Sequence, residues 1–398
     1  MTLARSLLLA LAAWAAGAQA APDPFKSTYQ PAASAPTLIR NATVLDGTGR
    51  RLDGADVLMR DGKIAAVGTG LAADGANVVD AQGRWVTPGL IDVHSHLGVY
   101  ASPGVNAHQD GNEATDPVTA GVGAEHGVWP QDPGFYTAIA GGVTTLQVLP
   151  GSANLIGGRG VTLRNVAGTT MQEMKFPGAP HGLKMACGEN PKRVYGERKQ
   201  APASRMANVA GYRAQWLEAQ QYVRDAADYE KKIAAGNKDA KPPPRDLRLE
   251  TLVAALKGEL LVQMHCYRAD EMALVLDLAD EFGYKVTAFH HAVEAYKIAD
   301  LLAERGVCAA MWADFWGVKM ELFDGIQENV AFVAHPANGC AIVHSDSPTS
   351  VQRLNQEAAK AMTRGARAGL PFAPEIAIAW VTANPAKALG IAQHPPQI

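Results

Sequence analysis

The chemistry-bearing residues of this chain concentrate first in one run, Pro88-Gly89-Leu90-Ile91-Asp92-Val93-His94-Ser95-His96. An apolar stretch ends there in two histidines at i and i+2. Strand side chains alternate faces, so His94 and His96 point the same way. Two imidazoles on one face at a strand's end make half a site for zinc or a related divalent ion. Asp92 shares that face in a regular strand, where it either orients a histidine or caps the strand end. Three later apolar runs also end in ligand types. Leu261-Val262-Gln263-Met264 leads into His265, and Val286-Thr287-Ala288-Phe289 leads into the pair His290-His291. Ala341-Ile342-Val343-His344-Ser345 leads into Asp346. One such histidine alone is more often a core residue. Histidines and an aspartate recurring at the ends of several strands predict one shared metal centre.

These side chains need a scaffold that brings strand ends together. From Trp85 onward, apolar strand patterns alternate with amphipathic helices, as βα units do. The strand candidates are 85–93, 142–149, 182–187, 260–265, 285–290, 307–312, 330–334 and 340–344. Eight such parallel strands close into a (β/α)8 barrel of the TIM type, with reactive groups at the strand C-termini. Residues 37–86 read instead as short strands, with Asp61-Gly62 as a two-residue hairpin turn. Residues 196–246 interrupt the alternation with charged helix formers and Lys241-Pro242-Pro243-Pro244-Arg245. That stretch is too long for an ordinary loop and reads as a helical insertion, either a solvated decoration or a lid over the pocket.

The first-strand run resembles the signature of the amidohydrolase superfamily, metal-dependent hydrolases on a (β/α)8 barrel. The segment His291-Ala292-Val293-Glu294-Ala295-Tyr296 resembles that superfamily's sixth-strand motif, which implies His291 as the ligand and leaves His290, on the opposite face, to pack or orient a neighbour. The nearest branch in pattern is imidazolonepropionase-like and prolidase-like, over residues 37 to 391. The resemblance implies one or two divalent ions, zinc being expected. His94, His96 and Asp346 would hold one; His265, His291 and a bridging carboxylate would hold the second. Two bridging candidates stand in Gly182-Leu183-Lys184-Met185-Ala186-Cys187-Gly188-Glu189. Some family members use a carboxylated lysine, matching Lys184; others use a glutamate, matching Glu189. Glu189 is preferred, because it needs no modification and its spacing to His265 fits the glutamate type. Asp346 matches the family's last-strand general acid/base. The resemblance also implies a small N-terminal β-sandwich over 37–86 and a barrel over 87–391. The family's return strands to that sandwich appear missing here, because only seven residues follow Ile391.

Substrate contacts are expected from Arg159, Tyr267 and Arg268, since guanidinium grips carboxylates bidentately. Arg159 lies in Gly151-Ser152-Ala153-Asn154-Leu155-Ile156-Gly157-Gly158-Arg159-Gly160, which is neither GxGxxG nor a GK[ST] loop. Its glycines permit close backbone approach to a ligand. The polar loop from Tyr100 to Pro133 is expected to wall the mouth.

Composition bounds the rest. With 398 residues, 47% of them hydrophobic, and a net charge of -3, the chain suits one large domain plus an accessory one. Nothing in it carries a nucleic-acid footprint. Arg5, the apolar run Ser6–Ala16 and Ala18-Gln19-Ala20 read as a signal peptide over 1–20, implying export, to the periplasm in a Gram-negative host. Cys187, Cys266, Cys308 and Cys340 lack CxxC spacing and read as buried thiols, with a Cys187–Cys266 bridge between neighbouring strands as the alternative. The leading function is an exported metal-dependent hydrolase of a C–N bond in an amide, small peptide or cyclic amide. A prolidase-like dipeptidase is the alternative within the class; a non-catalytic metal-binding or scaffold protein is the alternative outside it. Expected partners are a small-molecule or peptide substrate, no nucleic acid, no membrane after cleavage, and a homo-oligomer as an open question.

Overall fold

The computed structural model describes residues 23–315 and 317–393, so the expected signal peptide lies outside the described residues. Strand β1 (Thr37–Leu45) pairs antiparallel with β2 (Arg51–Arg60), which turns back into β3 (Lys63–Gly68). The turn between β2 and β3 is Asp61-Gly62, both left-handed with φ of 54° and 69°. That conformation matches the twist of the two strands it joins. β4 (Asn77–Asp80) and β5 (Trp85–Val86) lie parallel to β1, completing a single five-stranded sheet. Ala42, Val44, Ala55, Val57 and Ala81 form its small buried cluster, while Val78, Val79 and Trp85 are more than half exposed.

The second sheet has eight strands in sequence order. They are β6 (Leu90–Ser95), β7 (Val143–Val148), β8 (Ile156–Arg164), β9 (Gly182–Ala186), β10 (Leu261–Cys266), β11 (Val286–His291), β12 (Cys308–Met311) and β13 (Ala341–Val343). β6 and β7 are parallel, as are β9 through β13. At the seam, the Asp346 amide donates to the His94 carbonyl at 3.1 Å, which nearly closes the barrel.

Two features correct the expected order of strands. β8 runs antiparallel to both neighbours and occupies the glycine-rich segment expected to approach a ligand. The link from Val148 to Ile156 is too short for the dozen or more residues that a parallel crossover needs. The glycines serve strand packing instead: a Cβ on Gly158 would meet the Val122 carbonyl at 2.6 Å, and one on Gly160 would meet Leu149 at 2.5 Å. Residues 330–334, expected as a strand, lie in the helix Asn329–Ala334, with Val330, Ala331 and Val333 buried. A five-residue apolar run does not distinguish a buried strand from a buried helical turn.

Ile91, Val93, Ala288, Ala310 and Ile342 pack with Ala388, Leu389 and Ile391. A Cβ on Gly390 would touch Pro180 and Leu261, so this segment closes the barrel at the N-terminal ends of β9 and β10. The strand C-termini, with their polar side chains, form the opposite end.

Within the expected insertion, the helix Arg205–Ala234 starts at Ser204, whose side chain accepts from the Ala207 amide. Tyr212, Trp216 and Ala219 bury its inner face, and Trp216 stacks on Tyr284 at 4.5 Å between centroids. The expectation of free thiols is also corrected. Cys187 is bonded to Cys266 and Cys308 to Cys340. Strand register explains both: Ala186 pairs with His265 and Ala309 with Ala341, which sets each cysteine beside its partner. Their Cα atoms are 5.2 and 4.5 Å apart, within disulfide range.

Candidate metal centre

The end of β6 carries His94, which is buried, and His96 just beyond it, which is partly so. His96 Nε2 lies 3.3 Å and His94 Nε2 3.6 Å from Asp346 Oδ1. His291 Nδ1 lies 3.8 Å from the other Asp346 oxygen. His265 packs edge-on against His291 with 4.5 Å between ring centroids. The structure thus gathers His94, His96, His265, His291 and Asp346 into one cluster at the strand C-termini.

Two sets within it offer ligand atoms within 4.8 Å of one another: His94, His96 and Asp346, and His94, His291 and His344. His344 was not foreseen, although its spacing of two from Asp346 is the same signal as His94 and His96. His291, Ala292 and Asp346 all have left-handed backbones, with φ of 70°, 39° and 48°. Such conformations cost about 1–3 kcal/mol each for non-glycine residues and concentrate where function over-determines them.

Electrostatics suit metal binding. Burial, with neighbouring Lys184, pushes the His94, His265 and His291 imidazoles well below their ordinary range, and burial brings His344 down to about 4. All four are therefore neutral at pH 7, with a lone pair available. Burial raises Asp346, but hydrogen bonding and charge from His96 outweigh it, and the carboxyl lies below its usual value. Both ring nitrogens of His265 and Nδ1 of His291 are buried without a hydrogen-bond partner. Buried polar atoms are ordinarily paired. Neutral imidazoles beside a carboxylate, with the orphaned His291 Nδ1 3.8 Å from Asp346, are the donor set expected of a divalent cation, so the residues present fit such an ion.

The two bridging candidates have different surroundings. Glu189 opens the helix Glu189–Glu197 after Gly188, whose φ is 78°. Its amide donates to Glu321, and its carboxylate lies 3.7 Å from Lys319. Lys184 instead points into the cluster. Its Nζ lies 3.4 Å from His94 Nε2 and donates to the Pro150 carbonyl at 2.9 Å. Burial lowers this amine to about 8. Alternation along β9 faces Lys184 inward, whereas the turn at Gly188 redirects the chain before Glu189.

Of the three expected substrate residues, Tyr267 stands at the cluster. Its ring stacks on His291 at 5.1 Å, while Trp312 stacks on His291 at 4.4 Å. Arg268 forms a double hydrogen bond with Asp270 at the surface. Arg159 sits on the antiparallel β8, paired with Leu183, and its Nε is buried without a partner. Lys319, also not foreseen, places its amine 4.1 Å over the Tyr267 ring and donates to Asn190 at 2.9 Å. The expected mouth loop does reach the site, through the Tyr100 ring 5.5 Å from His96.

A barrel carrying histidines and an aspartate at its strand C-termini defines a class of α/β fold with a group able to hold a divalent ion, and similarity to known proteins specifies the family. An amidohydrolase from Thermotoga maritima MSB8 is 35% identical, superposes with a TM-score of 0.80, and matches over 91% of each chain. Amidohydrolase tasK of Hapsidospora irregularis is 34% identical over 396 residues, 90% of this chain. The chain spans 39% of that curated relative's length. A dihydroorotase of Halalkalibacterium halodurans matches over 114 residues at 33% identity, covering 29% of this chain and 21% of its own. No family model matches the sequence. This chain belongs to the amidohydrolase superfamily, enzymes that hydrolyse C–N bonds.

Proposed function

We propose that this chain is a metal-dependent hydrolase that cleaves a C–N bond in an amide, small peptide or cyclic amide. The observation that carries this reading is the convergence of His94, His96, His265, His291 and Asp346 around orphaned, neutral imidazole nitrogens. His94, His96 and Asp346 would hold one ion, and His265 and His291 a second, with zinc the expected metal. A bound divalent ion would supply Lewis acidity, making water nucleophilic at neutral pH and polarising the scissile carbonyl.

Asp346 accepts the proton of the attacking water and delivers it to the leaving nitrogen. Its contact with His96 keeps it ionised and ready to accept. Tyr267 and Trp312 both pack on the His291 ring and touch each other, 6.1 Å between centroids, and Lys319 offers a cation beside Tyr267 for an anionic substrate group. Lys184 is the better-placed bridging group. Its neutral amine can add to carbon dioxide, forming an N–C bond and releasing one proton to give a carbamate. Burial supports this step by keeping part of the amine unprotonated near neutral pH.

The reading includes export. Its support is the N-terminal signal pattern and the pairing of all four cysteines, which suits an oxidising compartment. Among the described residues, no helix is long and apolar enough to cross a membrane. The decisive experiment measures metal content and turnover of cyclic amides, acylated amines and dipeptides, before and after chelation. Turnover that disappears with the metal and returns with zinc supports the proposal. A metal-replete protein inert on every C–N substrate class would overturn it.

A further inference from the structure

His94 and His96 both aim Nε2 at Asp346, but what stands behind each ring differs. Behind His96, Nδ1 lies 2.8 Å from the Leu149 carbonyl oxygen. A carbonyl only accepts, so His96 carries a hydrogen on Nδ1, and Nε2 is the nitrogen turned to the cluster. Behind His94 there is no carbonyl. Its Nδ1 lies 2.9 Å from Nδ1 of His290. Two imidazole nitrogens at that distance share one hydrogen, and either ring is able to supply it.

The next contacts decide which. His290 Nε2 lies 2.7 Å from Gln263 Oε1, and Gln263 Nε2 donates to the Ala388 carbonyl at 3.1 Å. Because the Ala388 carbonyl only accepts, the glutamine must turn its amide NH2 toward it. Oε1 then faces His290 and accepts in turn, so His290 Nε2 bears a hydrogen. His290 and Gln263 are fully buried. An imidazolium at His290 would be a buried charge whose two partners, an amide oxygen and a second imidazole, carry no counter-charge. That cost favours the neutral ring. Neutral His290 with its hydrogen on Nε2 has its lone pair on Nδ1. It therefore accepts from His94, which must hold its hydrogen on Nδ1 and its lone pair on Nε2.

We propose that Ala388, Gln263 and His290 form a buried relay that sets the tautomer and ring orientation of His94, making His290 a positioning residue for metal binding. The relay rests on the reading of His94 as a ligand. It explains the His290-His291 doublet: one histidine joins the cluster, and the other does for His94 what the Leu149 carbonyl does for His96. It also ties the centre to the helix Ala383–Ala388, so the far end of the barrel takes part in arranging the ligands.

The test uses the full chain, freed of metal by chelation, with Zn2+ as the probe. Ring nitrogen shifts of 15N-labelled histidine, with His94 assigned by its loss in His94→Ala, should show His94 protonated on Nδ1 before zinc is added. His290→Leu removes the acceptor and should weaken zinc affinity by about 10–100-fold, the usual effect of losing a ligand's supporting partner. His290→Asn keeps an acceptor near the Nδ1 position and should recover most of that loss. Gln263→Leu leaves His94 and His290 in place but frees the His290 tautomer; it should weaken zinc binding and broaden or split the His94 signals. It also serves as the second variant should His290→Leu not fold. A His94 ring protonated on Nε2 in the metal-free protein would overturn the relay, as would wild-type zinc affinity in both His290→Leu and Gln263→Leu. Failure of the underlying reading has a separate signature: His94→Ala binding zinc as the wild type does.

Discussion

In the proposed reaction Asp346 is the proton carrier and Lys184 the candidate bridge. Asp346 touches His94, His96 and His291, so Asp346→Asn keeps an oxygen in place while losing the ability to take a proton. The expected outcome is retained metal with turnover reduced about 10²–10⁴-fold, read by steady-state kinetics alongside metal analysis. A near wild-type rate would remove Asp346 as the proton carrier. Lys184 and Glu189 separate as cleanly. Because Lys184 points at His94 whereas Glu189 pairs with Lys319, Lys184→Ala should lose most of the bound metal and Glu189→Gln should keep it. Elemental analysis of the two purified variants checks this. The opposite pattern would restore Glu189 as the bridge. A second check on Lys184 is dependence of wild-type metal reconstitution on added bicarbonate, which a simple amine or glutamate site would not show.

Among the elements, the helix Arg205–Ala234 is the one whose role separates into two faces. Its inner face carries Trp216, fully buried and stacked on Tyr284, and Tyr212, whose hydroxyl donates to the Ala186 carbonyl at the end of β9. Asn208 donates to the Gly188 carbonyl at 3.0 Å, and Arg205 pairs with Glu271 and Glu321. The first half of the helix thus braces the strand end that presents Lys184. Trp216→Ala should cost about 3–5 kcal/mol of stability, the typical loss for emptying a large aromatic from a core. Leu217, on the outer face and 54% exposed, should change stability by no more than about 0.5 kcal/mol when replaced by alanine. Denaturant melts of the two variants check the contrast; equal losses would mean that the helix is buried on both sides in solution.

Across the whole molecule, distant segments are tied together by charge and by disulfides. Lys175 is buried and contacts Asp23 Oδ2 at 2.7 Å and Glu125 Oε2 at 2.6 Å, fastening the segment near residue 23 to the barrel. His181 adds a 3.2 Å contact to the same Glu125 oxygen. Burial alone would raise the Glu125 carboxyl, but hydrogen bonds from His181 and Lys175 outweigh it and carry it from 4.5 down to about 2. A depressed carboxyl favours the folded state above its unfolded pKa, and that contribution fades as pH falls from about 4.5 to about 2. The shift corresponds to about 3 kcal/mol. The wild type should therefore lose more stability than Glu125→Gln across that interval, measured by denaturant midpoints at constant ionic strength. Parallel curves would show that Glu125 does not carry the acid sensitivity. The two disulfides join adjacent strands, Cys187–Cys266 beside the candidate ligands and Cys308–Cys340 between β12 and β13. Cys308→Ser with Cys340→Ser should lower stability by about 2–4 kcal/mol in a thermal or denaturant melt, and an unchanged midpoint would show the bridge to be dispensable.

Much of the ligand cluster was legible in sequence, because strand periodicity is local. His94 and His96 share a face by spacing alone, and apolar runs ending in His265, His291 and Asp346 mark strand ends without any knowledge of partners. The Asp61-Gly62 turn was legible for the same reason, since two left-handed residues in a row dictate a hairpin. Tertiary structure decided what depends on which strands are neighbours. The antiparallel course of β8 follows from a short link and the space between β7 and β9, and it turned a glycine-rich segment that reads as a ligand loop into a packed strand. The different surroundings of Lys184 and Glu189 follow from Gly188 redirecting the chain, the cysteine pairs follow from strand register, and the partners of His290 lie on β6 and β10. Each is a contact between residues tens to hundreds of positions apart, and it is set by how the strands stack around the barrel.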